Sequence, residues 1–519
     1  MKKTLKYLSY LVSQIKDIRP VAAIVAVVIL LIAISTQEPL NNDGILYLRS
    51  AEAFIRHGWE AAVGVYPWPF YSILIAMLSK ITHMSFEHAA YMLNIICLVA
   101  TVTTFITITK ELGALHNVQC LAAVIILGHP QFHHYHAYII RDFGYWAFLL
   151  LSLLCFIRYY RQLWWRYALG WGLSINFSIL FRLEGVVLSC FIPLVLLLRP
   201  GRSIWQKICD TLKAYCVGIV ALTVIILVWW FTMNDSWGFA VGRINEIRDQ
   251  FLHCGVFLVD SLNKKATIIS KFVLLDYSKD FGMIMTICGL AGIYLYKLIA
   301  TLYPVHTLLC AHALFKNLVP VEAGIRNILI SFVALSLLVP AMWLGQKFYL
   351  SNRFFIPASL LLLIWSPFSL HSMYRYWREG KKRMAGNRII FPLFTVIILV
   401  MFVYAFLPPK QSKAYIVTAG KWLKHGMPSE SKLYTNVPQV SFYASRPYIL
   451  WDFSKKGYGI PKWTSGDFVV LKVRKKEYEK ARRCLSSFRL ETVKIFSNKE
   501  GDKVVVLRVT KPIEPNGLH

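Results

Sequence analysis

The sequence predicts an α-helical polytopic membrane protein of about eleven transmembrane helices, followed by a small external α/β domain. Three observations carry that expectation. Hydrophobic residues make up 56% of the 519-residue chain and charged residues only 16%, against roughly 25% charged in soluble domains, and the mean hydropathy is +0.51. Mainly apolar runs, near the ~20 residues that a bilayer-spanning helix needs, recur through residue 407. Beyond that point the pattern changes to a short helix and alternating strands.

The charge is lopsided, 57 Lys+Arg against 27 Asp+Glu, a formal net of +30. In a soluble protein that excess points to nucleic acid. Here no base-reading motif accompanies it and the basic residues flank apolar runs, so orientation in a bilayer is the first explanation and no nucleic-acid partner is expected.

Spans are expected near 20–36, 88–109, 117–130, 143–157, 167–181, 185–198, 211–233, 281–300, 325–343, 354–370 and 389–407. The first follows Lys2, Lys3, Lys6, Lys16 and Arg19, and Ala33-Ile34-Ser35 is a poor cleavage site, so it reads as an uncleaved anchor. Three further basic clusters, Arg158/Arg161/Arg166, Arg199/Arg202/Lys207/Lys213 and Arg375 to Arg388, fall on the side of this N-terminus when eleven spans are threaded, and that side reads as cytoplasmic. Two choices support the parity: Tyr71–Ile81 is a short helix in or dipping into the outer face, and Tyr303–Phe315 is an interfacial cytoplasmic stretch. Asp43, Asp142, the Arg182/Glu184 turn, Arg353 and everything after residue 407 are then external. The division is 1–407 for the membrane domain and 408–519 for the external one. In the latter, Ala414–His425 reads as a helix and Asp467–Val473 and Val504–Val509 as strands. That domain carries 22 Lys+Arg against 9 Asp+Glu, an excess suited to anionic headgroups or a phosphorylated acceptor. Nine of the ten cysteines lie in or near spans; a bridge between Cys254 and Cys484 is one option for the external pair.

Ionisable residues at a membrane face mark candidate chemistry. The first loop gives Asn41-Asn42-Asp43-Gly44, with Asp43 near a helix start and Tyr47 one turn on; Asp43 is either an N-cap or a functional acid. The second loop ends in Arg141-Asp142 at the start of a span, again a cap with its surface partner or an acid brought to the same face. Between them, His133, His134 and His136 belong to a run of four histidines that suits either a metal ion, as a divalent cofactor, or headgroup depth. Arg182 and Glu184 share a turn between apolar runs, as an ion pair or as a holder of an anion. Arg353 opens a span, as a snorkelling anchor or a phosphate ligand.

Asp43-x-x-x-Tyr47, Tyr66-Pro67-x-Pro69 before an apolar helix, Arg141-Asp142, Arg182-x-Glu184-Gly185 and Arg353-Phe-x-x-Pro357 occur in this order. Together they resemble the GT-C glycosyltransferases, in particular the protein mannosyltransferase and aminoarabinose lipid A transferase branch, over roughly residues 20–410. The resemblance implies a GT-C fold in the cell inner membrane, with a cytoplasmic N-terminus and a periplasmic C-terminal domain. It implies transfer of a sugar from a polyprenyl-phosphate donor to a lipid, lipid A, glycan or protein acceptor. Asp43 is then the general base, Asp142 positions the acceptor or a divalent cation, and Arg353, Arg182 and Lys80 clamp the phosphate, with Tyr47, Arg141 and Glu184 beside them. Two positions depart from the pattern: Gly44 stands where relatives often carry a second acid, and Val65-Tyr66 where a lysine often precedes the prolines. The alternative from another class is a transporter or flippase of lipid-linked glycans. It predicts paired broken spans in two related halves, and no internal repeat is visible.

Overall fold

The structure is a computed structural model that describes residues 16–35, 38–231, 254–379, 387–407, 413–451, 463–479, 483 and 490–511. Among them, four helices are long and apolar enough to cross a bilayer: Phe86–Glu111, Asp142–Gln162, Asp276–Leu302 (its first turns 3-10) and Ala323–Lys347. The pair Asn352–Leu363 and Ser366–Arg378, bent by 44°, makes a fifth if counted as one broken span. Several such helices in one chain make this a multi-pass membrane protein. Helices occupy the other expected runs as well, at Ile18–Ile34, His116–Gly128, Trp165–Phe181, Gly185–Phe191, Ile204–Phe231 and Asn387–Tyr404. Several of them are short: His116–Gly128 has 13 residues, about 20 Å of helix at 1.5 Å per residue. By length and composition the expected eleven spans therefore reduce to four or five among the described residues. Cys484 lies outside the described residues, and so does the bridge considered for it.

The chain divides into two compact units, one of Met1–Leu30, Met92–Tyr135 and Arg141–Leu407, the other of Leu31–Tyr91, His136–Ile140 and Pro408–His519. The first loop and a piece of the second cluster with the C-terminal region.

In the helical unit, Asp142–Gln162 is the most enclosed span, 78% buried, whereas Asp276–Leu302 is 6% buried. The start of Asp142–Gln162 therefore emerges within the bundle rather than at its rim. The segment expected at the membrane interface, Tyr303–Phe315, is instead a helix Pro304–Phe315 packed into the unit, with His306, Leu309 and Cys310 buried and Cys310 Sγ 3.2 Å from Ser366 Oγ. Tyr303, at φ 67°, breaks it from Gly282–Leu302. The break frees the Leu302 carbonyl, which accepts from Nε2 of the fully buried His129 at 3.4 Å. The His129 ring in turn stacks on His306 at 5.5 Å. A break in an apolar bundle thus recruits a polar side chain, as backbone groups away from water require.

In the second unit, five strands form one sheet in the order β2-β1-β3-β5-β4, with β1 Leu433–Thr435, β2 Ile449–Leu450, β3 Phe468–Val473, β4 Leu490–Ser497 and β5 Lys503–Val509. β1 pairs parallel with β2 and β3, while β5 runs antiparallel to β3 and β4. Alternate residues of β3 and β5 serve two cores. Phe468, Val470, Val504 and Val506 meet the helix Ala414–Gly426 through Ile416, Ala419 and Leu423, and Val469, Leu471, Val505 and Leu507 meet Trp451 and Trp463. Burial of both faces explains why these strands read as nearly continuous Val/Leu runs.

Candidate active site

The helical unit assembles a buried charge cluster from three separate turns. Asp142 is the first residue of its helix, after Arg141. Its partners come from far along the chain: one carboxylate oxygen accepts from Arg182 and the other from Arg353. Arg182 also donates through Nε to Glu184 at 3.0 Å, completing the ion pair expected of that turn. Arg141 acts electrostatically on both carboxylates. Three guanidiniums against two acids leave a net of about +1, and burial strengthens each interaction relative to water.

Local sequence explains each placement. Gly144 lets the Asp142 helix approach Phe181, since a Cβ there would meet the Phe181 ring at 2.2 Å. Phe148 stacks on Phe177 at 5.0 Å and on Phe181 at 5.9 Å, holding the same contact. The helix Trp165–Phe181 ends when Arg182 turns extended, its N–H still bonded to the Ser178 carbonyl at 2.9 Å. Gly185 then opens the next helix against Ser178 and Ile179, where a Cβ would sit 3.0 Å from each. Arg353 lies in the 3-10 turn Asn352–Phe355, capped by Ser351. Phe355 is fully buried against Tyr294, 4.9 Å between rings, and Phe354 stacks on Trp343 at 5.4 Å. Pro357 follows in the first turn of the next helix, where its missing N–H is harmless.

Exposure separates the members. Asp142 is 0% exposed and Arg182 8%, whereas Arg353 is 20% and Glu184 22% exposed. Both oxygens of Asp142, which sequence reading set toward an acceptor or a cation, are engaged by arginines, and its side chain has no exposed surface. It ties Arg182 to Arg353, the more exposed of the two guanidiniums. Burial works to raise the Glu184 carboxyl, but the adjacent Arg182 overrides it and holds it below the ordinary carboxylate range. Arg182 also lies over the rings of Phe354 (5.3 Å) and Tyr145 (5.9 Å). Leu188, Leu335, Val339, Pro340 and Pro357 extend this lining as an apolar cleft, nearly closed at a cavity volume of about 10 Å³.

The second unit places Asp43 in the first turn of Asn42–Val65. Asp43 is not the N-cap: that position is Asn41, whose side chain is engaged by Ile139, donating to its carbonyl at 3.1 Å and accepting its N–H at 2.9 Å. Gly44 packs into the same junction, where a Cβ would meet Asn41 Oδ1 at 2.8 Å and Ile139 Cβ at 3.0 Å, so a larger residue is crowded there. Tyr47 lies one turn on, edge-on to Tyr66 and Tyr71 at 5.1 and 5.2 Å. The C-terminal region grips this loop. Tyr443 Oη accepts the Leu40 N–H at 3.0 Å, Arg49 donates to Ser441 Oγ at 3.1 Å, and its guanidinium lies 5.5 Å from the Tyr448 ring centre. Tyr443→Phe is expected to remove about 1 kcal/mol and to speed exchange of the Leu40 amide about fivefold, as read by hydrogen–deuterium exchange.

Lys80 is exposed in the last turn of Phe70–Thr82, nine residues and so about 13 Å of helix beyond Tyr71; it does not join the tyrosines. The three histidines read as a metal set go to different surroundings. Among the described residues no three or more His, Cys, Asp or Glu are grouped to hold a metal ion. His133 packs against the Tyr404 ring at 5.8 Å and His134 against Tyr135 at 4.9 Å, while His136 is buried and clusters with the other unit. Sequence reasoning missed Gly144, Tyr145, Arg49 and Tyr443. Gly144, two residues after the acid at a span start, carried a readable signal; Tyr443 carried none.

No family model matches the sequence, and no curated protein matches it. Solved structures do match in fold. ArnT from Cupriavidus metallidurans bound to undecaprenyl phosphate aligns with a TM-score of 0.54 at 11% identity, over 94% of this chain and 97% of that one. Its apo state gives 0.51 at 11% identity, over 93% and 96%. The archaeal oligosaccharyltransferase AglB from Archaeoglobus fulgidus, in complex with an inhibitory peptide and a dolichol-phosphate, gives 0.51 at 12% identity, over 89% of this chain and 70% of that one.

Proposed function

The chain has the GT-C membrane fold, and on that premise we propose that it is a membrane glycosyltransferase, moving a sugar from a polyprenyl-phosphate donor to an acceptor at the outer face of the cytoplasmic membrane. The observation that carries this reading is the Asp142 cluster: a partly exposed Arg353, fixed by a buried carboxylate and backed by Arg182 and Arg141, beside an apolar cleft. An anionic headgroup needs a fixed, partly exposed guanidinium of that kind. In the transfer, an acceptor hydroxyl oxygen forms the new bond to the anomeric carbon while the bond to the donor phosphate oxygen breaks. The phosphate leaves with the electron pair. Arg353 stabilises the charge that develops on it, and Asp43 takes the hydroxyl proton as general base. Tyr47, Tyr66 and Tyr71 stiffen the start of the Asp43 helix. Donor phosphate groups are named by the ligands of the structural neighbours, undecaprenyl phosphate in ArnT and dolichol-phosphate in AglB, and these support the choice of carrier.

The test is binding of undecaprenyl phosphate to the purified full chain, read by native mass spectrometry. Loss of a charge-assisted hydrogen bond is worth about 1.5–3 kcal/mol, so Arg353→Ala is expected to weaken retention about 10- to 100-fold, and Arg353→Lys to restore part of it. Equal retention by all three would remove the phosphate role of Arg353.

A further inference from the structure

From Arg353 the bent helix pair runs through Asn352–Leu363 and Ser366–Arg378, roughly 35 Å of helix, to the opposite end of the helical unit. There, a cavity of about 390 Å³ opens between the last turns of Ser366–Arg378 and the first turn of His116–Gly128, lined by Asn117, His371, Tyr374, Arg375, Arg378 and Glu379. We propose that this cavity is a binding site for a phosphate-bearing anion, and that the headgroup of an anionic phospholipid is its source. The site is remote from the Asp142 cluster and stands independently of the transfer reaction.

Four features of the site support this. Among its six lining residues two are guanidiniums and one is a carboxylate, so the cavity is cationic. Arg375 is held only loosely by Glu379, at 3.8 Å with both side chains exposed, a pairing worth little in water. Arg378 makes no hydrogen bond or ion pair among the described residues. The opposing helix begins at Leu115, which offers no side-chain cap, so its first amides add a positive field to that of the arginines. A helix C-terminus alone accounts for arginines in a last turn, but not for an imidazole, a phenol and an amide converging with them around a cavity of headgroup size.

The aromatic surroundings identify the carrier of the phosphate. Tyr374, Trp377 and Phe391 form a cluster with ring separations of 5.5 to 6.5 Å, and Tyr374 and Trp377 are 36% and 42% exposed. Partly exposed amphipathic rings beside basic side chains are what the headgroup layer of a bilayer selects. A basic pocket between helices at that level takes a lipid phosphate.

The experiment uses the full chain in detergent micelles, with bound lipid counted by native mass spectrometry. Anionic phosphatidylglycerol is expected to be retained over zwitterionic phosphatidylcholine. The double variant Arg375→Ala/Arg378→Ala is expected to lose about 10- to 100-fold in phosphatidylglycerol affinity. Glu379→Gln, which removes the competing carboxylate, is expected to gain affinity, a change of sign that misfolding cannot produce. Failure of inorganic phosphate to displace the lipid supports the lipid source; displacement by millimolar phosphate, abolished in the double variant, overturns the lipid source in favour of a soluble phosphate. Unchanged retention in the double variant overturns the site, as does an equal loss in Arg166→Ala, a control at a separate exposed arginine.

Discussion

Asp142→Asn is expected to lower the stability of the helical unit by about 3–5 kcal/mol, the range for removing one partner of a buried ion pair. The size follows from the geometry. Asp142 has no exposed surface, and it bridges Arg182 and Arg353, which reach its two oxygens from turns 40 and 211 residues away. Without its charge, two guanidiniums face each other in a low-dielectric setting, with Glu184 left to compensate both. A lower thermal unfolding midpoint for Asp142→Asn in detergent, together with weakened retention of undecaprenyl phosphate, is the expected pair of results. A variant that unfolds at the same midpoint yet loses all turnover would instead make Asp142 a group that acts on substrate, contrary to its burial. Asp142→Glu keeps the charge but lengthens the side chain, and is expected to recover part of the stability.

Asp43→Asn is expected to give the converse: an unchanged unfolding midpoint and a turnover reduced about 10²- to 10⁴-fold, the contribution of a general base. The midpoint should hold because the local structure does not depend on this carboxylate as a cap. Asn41 occupies the cap position, pairs with the Ile139 backbone in both directions, and leaves Asp43 half-buried in the first turn. Tyr443 and Arg49 then secure the loop from the C-terminal region. A large fall in stability would return Asp43 to a structural role.

How much of this was legible in the sequence differs from element to element. The strands Phe468–Val473 and Lys503–Val509 and the helix Ala414–Gly426 lie within a residue of their expected bounds, because β-branched runs and a 3.6-residue period are local signals. β1 and β2, three and two residues long, offer no such run. The Arg182/Glu184 pair was readable because two charges between apolar segments require each other. The engagement of Asp142 by Arg182 and Arg353 was not, since pairing across long sequence separations leaves no periodic trace. Four or five of the eleven expected spans are long and apolar enough among the described residues. Hydropathy cannot see that Tyr303 adopts a left-handed conformation and ends a helix, nor that the run after Asn352 bends by 44°. The histidine run suggested a metal on composition alone. In the fold, neighbours in sequence go to different surroundings: His129 to a broken helix end, His133 to Tyr404.

The central claim is that a sugar leaves a polyprenyl phosphate on this chain, and the free polyprenyl phosphate released is a product common to every sugar it could transfer. The most direct measurement therefore reconstitutes the full chain in liposomes with a mixture of polyprenyl-phosphate-linked sugars and acceptor lipids, and follows free polyprenyl phosphate by mass spectrometry. Time-dependent release by the wild type, abolished in Asp43→Asn and strongly reduced in Arg353→Ala, is the predicted result. Movement of intact lipid-linked sugar between leaflets with no free polyprenyl phosphate formed would contradict the claim and identify a flippase.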